Sequence, residues 1–152
     1  MRTLPAPATI PRAMHFALID AILEEGPDRV RAVKQVTLAE EYLQDHFPTF
    51  QVLPGVFMLE ALVQAARSLL ERQGHPRMVL GGVKAMRYGS FVRPGEALEV
   101  EVQLEKGLPD GSFAFKGSGT VRRQGGGEPE TAVSGRFTLR PLRIPPQTPS
   151  QG

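Results

Sequence analysis

The sequence predicts an α+β domain in which an antiparallel sheet wraps one long helix. Two observations predict it. Between Val52 and Ala66 nearly every residue is apolar, with Glu60 and Gln64 the polar exceptions. A helix that is apolar almost all round belongs inside a core. The segments that follow alternate or run apolar, and short turns containing Gly or Pro separate them. Strands joined by such short connections pair antiparallel.

The elements follow in order. Residues 1–10 carry prolines without periodicity and are expected to form an extended arm. Residues 16–25 suit a strand or a short helix. Gly26-Pro27-Asp28 is a turn signal, and 29–36 is a valine-rich strand, so the two segments read as a hairpin. Thr37-Leu38-Ala39-Glu40 has the form of a capping box before a short helix over 38–43. Residues 45–54 form an irregular loop with His46 and two prolines. The long helix spans 55–73, with Gly74 ending it as the first residue past the cap. A strand is expected over 78–88, with a bulge at Gly81-Gly82. In 98–104, Leu98, Val100, Val102 and Leu104 alternate with Glu99, Glu101 and Gln103, placing the first set inward and the second outward. Pro109-Asp110-Gly111 is a hairpin turn, and strands follow over 113–121 and 133–139. One domain over 11–140 is therefore expected, with a proline-rich tail over 141–152 that lacks regular structure.

Composition narrows the chemistry. With 152 residues the chain can build a real core. Eighteen basic residues stand against sixteen acidic ones, interspersed, for a net charge of +2. That balance does not point to nucleic acid. The absence of cysteine excludes disulfides and thiolate catalysis. No opening stretch has the order of a signal peptide, and the run 52–66 is too short to span a bilayer. A soluble, cytoplasmic protein is the expectation.

The central stretch suggests a specific reaction. Removing water from a β-hydroxyacyl thioester needs a base for the C2 proton, an acid for the departing C3 hydroxyl, and stabilisation of charge on the thioester oxygen. Histidine suits the first role. A carboxyl group enclosed by apolar side chains suits the second, because desolvation keeps such a group protonated. A helix N-terminus suits the third. Here His46 sits on the entry loop, Gly55 opens the helix and lets a substrate approach its backbone, and Glu60 lies within it. The alternative reading of Glu60, Gln64, Arg67 and Glu71 is a solvated helix stripe.

His46-Phe47-Pro48, Val52-Leu53-Pro54-Gly55 and Glu60-Ala61 with Gln64 resemble the His-Phe-Pro…Val-Met-Pro-Gly…Glu-Ala…Gln motif of β-hydroxyacyl-acyl-carrier-protein dehydratases. The His46-to-Glu60 interval matches too. The likeness extends to Pro11-Arg12 and Asp20, and to Lys84-Ala85-Met86-Arg87-Tyr88 through Pro94-Gly95-Glu96. The sequence departs from the family pattern at Asp45, Thr49 and Gln51, where Gly, Gly and Pro are usual, and at Met14-His15-Phe16 in place of Tyr-Pro-Phe.

The resemblance implies the hot-dog fold and homodimers, often assembled into hexamers, in which the histidine of one subunit faces the glutamate of the other. It implies His46 as base, Glu60 as acid, the Gly55 N–H on the thioester carbonyl, and Gln64 orienting Glu60. It implies no metal or organic cofactor, since the acyl chain arrives on the phosphopantetheine of an acidic acyl carrier protein. Lys84, Arg87 and Arg93 are the candidates for meeting that carrier. The expected function is dehydration of (3R)-hydroxyacyl thioesters to trans-2-enoyl thioesters in fatty-acid or related lipid synthesis. A hot-dog acyl-thioesterase and a non-catalytic acyl-binding protein are the alternatives.

Overall fold

A computed structural model describes residues 18–37, 52–123 and 125–143. The arm, the capping box beyond Thr37, the short helix expected over 38–43, the loop with His46 and most of the tail lie outside the described residues. The elements are β1 (Ala21–Glu25), β2 (Arg29–Gln35), α1 (Gly55–Arg72), β3 (Met78–Tyr88), β4 (Ala97–Gly107), β5 (Phe113–Arg122) and β6 (Glu130–Pro141). The ambiguous first segment is thus a strand, and it forms the expected hairpin with β2 around the Gly26 N–H to Arg29 carbonyl bond of 2.7 Å.

The six strands form one antiparallel sheet in the order β1-β2-β4-β5-β6-β3. α1 packs against β2, β3, β4, β5 and β6, so the sheet wraps the helix as in the anticipated α+β, hot-dog arrangement. Met58, Ala61, Leu62, Ala65, Ala66, Leu69 and Leu70 face Val30, Val100, Phe115, Phe137 and Leu139 in one core. Gly117 lets the two layers close. A Cβ there would stand 3.2 Å from the methyls of Leu62 and 3.1 Å from Phe137. Both ends of α1 are where the sequence put them, within one residue at the C-terminus. Gly74 takes a φ of 86° directly after the Gln73 cap, a conformation that glycine adopts without strain.

β4 corrects one expectation. Glu101 and Gln103 face out as expected, but Glu99 is only 9% exposed. Its carboxylate is clasped by Arg31 of β2 and by Arg122 of β5, the latter at 2.5 Å. Alternation assigns a residue to a face; it does not show that long neighbouring side chains will cover it. The irregularities of β3 are likewise only half foreseen. A register shift falls at Leu80/Gly82, on the glycine pair, and a second falls between Lys84 and Arg87, where Ala85 has a φ of 53°.

Candidate active site

α1 begins without a side-chain cap, because Pro54 supplies only its carbonyl, to the N–H groups of Phe57 and Met58. No helix can bond its first N–H groups internally. Among the described residues, no carbonyl takes the N–H of Gly55 or Val56. This open, electropositive terminus borders a cavity of about 100 Å³ lined by Val52, Leu53, Gly55, Met58, residues 88–91 and Ala132. The lining is largely apolar, so water would compete poorly with an acyl thioester there.

Gly55 has a steric reason to be glycine beyond the one read from the sequence. A Cβ would stand 3.0 Å from Cε1 of Tyr88, whose ring lies against the helix start. The close approach expected of substrate is thus made, in the isolated chain, by the Tyr88 ring.

Glu60 is half-buried on the second turn of α1, and among the described residues none hydrogen-bonds its carboxylate. It does not line the cavity at Gly55. Five residues along a helix amount to a rotation of about 140°. Glu60 therefore points from a different face of α1 than the one Gly55 occupies. Gln64 is fully buried, and its Oε1 accepts the Leu18 N–H at 2.8 Å, which ties the chain entering β1 to the helix. His46 lies outside the described residues. Lys84 and Arg87 are exposed on β3, and Arg93 is exposed in the connection to β4, so the three do not form one cluster on a single element. Sequence reasoning missed Tyr88, Ser90 and Phe91 as cavity residues. The only available signal was their place inside the run that resembles the family's.

Residues 23–125 match the ApeI-like family, described as ApeI dehydratase. The chain belongs to this dehydratase family. It is 46% identical over 106 residues to a 3-hydroxyacyl-(acyl-carrier-protein) dehydratase FabZ of Chloroflexus aggregans, covering 65% of this chain and 72% of that protein. It is 37% identical over 98 residues to the FabZ of Pseudothermotoga lettingae, covering 64% and 70%. An acyl-CoA hydrolase from Bacillus cereus superposes with a TM-score of 0.62 at 18% identity, over 77% of this chain and 67% of that one. The shared fold therefore does not separate dehydratase from hydrolase, whereas the relatives in sequence are dehydratases.

Proposed function

We propose that this protein dehydrates (3R)-hydroxyacyl thioesters, delivered on acyl carrier protein, to trans-2-enoyl thioesters in fatty-acid or related lipid synthesis. The observation that carries the reading is the open N-terminus of a core helix on an apolar cavity, in a chain of the dehydratase family. His46 takes the C2 proton. The electron pair moves toward the thioester carbonyl, whose oxygen the Gly55 N–H holds. As the C2–C3 double bond forms, the C3–O bond breaks and the hydroxyl leaves as water with a proton from Glu60. The reaction calls on no metal or organic cofactor.

The angular separation of Gly55 and Glu60 supports a site shared by two chains, with His46 and Gly55 from one and Glu60 from the other. The surface supports a homodimer as well. Val56, Val83, Tyr88 and Phe91, between 45% and 67% exposed, are large apolar side chains near the helix start and along β3, one of the sheet's two edge strands. Apolar exposure of this kind marks an interaction surface.

Strand register supports a candidate surface for the carrier. Lys84, Arg136 and Lys116 stand side by side across β3, β6 and β5, all exposed, with Lys106 on the same groove and Glu105 paired to Arg136 at 3.0 Å. We propose this row as the surface that meets an acidic carrier. Among the described residues no helix is long and apolar enough to cross a membrane. A cytoplasmic location is part of the proposal, because the reaction needs acyl carrier protein as its substrate's carrier.

The test is a coupled assay on 3-hydroxyacyl and trans-2-enoyl thioesters with the wild type, His46→Ala and Glu60→Gln. Reversible hydration is expected, reduced by at least about a hundredfold in each variant. Full activity in His46→Ala would overturn the mechanism. Release of free thiol, independent of His46, would instead favour a thioesterase.

A further inference from the structure

Residues 89–96 join β3 to β4 and wall one side of the cavity through Gly89, Ser90 and Phe91. This connection also holds the approach to α1, because the Leu53 N–H donates to the Val92 carbonyl at 2.8 Å, two residues before Gly55. Both Leu53 and Val92 are fully buried. At the far end stands Glu96. One carboxylate oxygen accepts the Arg93 N–H at 2.7 Å, closing the connection on itself. The other accepts from Nε of Arg123, just past β5, at 2.8 Å. Nη1 of Arg123 continues to Oε2 of Glu130 at 2.8 Å, and the same oxygen accepts the Ser90 hydroxyl at 2.6 Å. The series Glu96, Arg123, Glu130, Ser90 thus starts and finishes on one connection, bracing both its ends against β5 and β6. The backbone presses it home: the Gly89 N–H donates to the Ala132 carbonyl at 2.8 Å, and a Cβ at Gly89 would stand 2.4 Å from the Thr131 oxygen.

We propose that Glu96 and Arg123 are positioning residues for the thioester-carbonyl site. Their brace fixes the connection, the connection fixes Leu53 through Val92, and Leu53 fixes where the Gly55 N–H stands beside the cavity. The proposal rests on the reading of Gly55 as the carbonyl site. Ion pairs as open to solvent as that of Arg123 with Glu130 add little to stability. A group displaced by about 1 Å at a reacting centre, by contrast, costs up to about a hundredfold in rate. Geometry is therefore the stronger reason for a closed chain of contacts at this place.

The experiment compares the full-length wild type with Arg123→Ala, Arg123→Lys and Glu96→Gln. It reads kcat and KM on 3-hydroxyacyl-coenzyme A, and hydrogen exchange at the Leu53 amide. Arg123→Ala and Glu96→Gln are expected to lower kcat about tenfold with KM held within about twofold, and Arg123→Lys to recover most of the loss. The Leu53 amide should exchange about tenfold faster in Arg123→Ala. Unchanged protection of Leu53 overturns the proposal whether or not the wild type turns over. So does a raised KM at unchanged kcat. Faster Leu53 exchange in a protein that turns over no thioester supports the brace and sinks the dehydratase reading instead.

Discussion

The two edges of the sheet are finished in different ways. β1 is five residues long, kinked by a register shift at Ile22/Glu24, and closed with charge. Glu24 reaches Arg31 at 3.0 Å and Arg29 at 4.0 Å, and Glu25 reaches Arg72 of the helix at 3.7 Å. Short, bent, charged strands are how sheets avoid pairing with another chain. β3 is eleven residues long and exposes Val83 and Tyr88, with Val56 and Phe91 as further exposed apolar residues near the helix start. β3 also bends, at two register shifts, and carries the exposed Lys84 and Arg87, but it is more than twice as long as β1 and lies beside the cavity at Gly55. The divided site proposed above needs a second chain, and we propose that it docks on the longer edge, β3, rather than on β1.

The sharpest way to break this comparison is to charge each edge in turn. Val83→Lys on β3 should yield monomers by light scattering and cut dehydratase activity by about a hundredfold, since the divided site comes apart. Leu23→Lys on β1 should leave mass and rate within about twofold. A Val83→Lys protein that stays dimeric and active would show that the second chain docks elsewhere. A wild type that is monomeric and active would remove the divided site altogether.

The next effect belongs to the β1 side. Arg29 pairs with Glu101 at 2.9 Å, and Glu99 is shared by Arg31 and Arg122, so the outer face of β1, β2, β4 and β5 is one ionic network. Among the described residues, Glu99→Ala leaves Arg31 with Glu24 alone and Arg122 to solvent, removing the one buried carboxylate of the network, and Tm should fall by about 3 °C. Arg29→Ala, at the exposed end, should move Tm by about 1 °C. Equal shifts would mean that the enclosure of Glu99 carries no weight.

How far the sequence could have led to this comparison depends on the range of each interaction. The bounds of α1 were legible because Pro54-Gly55 and Gly74 act locally. The faces of β4 were legible because alternation is local too. Strand order was not, since nothing in a strand names its neighbour, and β3 could not be seen to be an edge. For the same reason Lys84 could be suspected of meeting a carrier, while its row-mates Arg136 and Lys116 could not. Gln64 was noticed as a polar residue in an apolar helix, but its Leu18 partner lies 46 residues away. The roles of His46 and Glu60 came from the family resemblance, because composition and spacing alone left a solvated stripe open.

A smaller prediction concerns strain on β3. Ala85 sits in the left-handed region at the second register shift, where an L side chain costs roughly 1 kcal/mol more than glycine. Ala85→Gly should raise Tm by about 2 °C. An unchanged or lower Tm would show that the strand accommodates this conformation without strain, and that its irregularity is no liability of the open edge.

The smallest effect asks whether the β3 side draws any stability from charge. Glu130 lies on β6, the neighbour of β3. Its carboxyl is held below its ordinary value of 4.5, first by the Ser90 hydroxyl and then by Arg123. A carboxyl with a depressed folded value releases its proton more readily in the native state than in the unfolded chain. It therefore contributes stability above the ordinary value, and that contribution is lost as the pH falls through the folded value. The group is open to solvent, so the amount is small. Wild type and Glu130→Gln should differ in Tm by about 1 °C at about pH 7, and the gap should close as the pH falls below the ordinary value of 4.5 and through the depressed folded one. A gap that persisted in acid would belong to the uncharged hydrogen bond with Ser90. The Glu130–Arg123 contact would then add nothing ionic beside the open edge, in contrast to the paired carboxylates of β1.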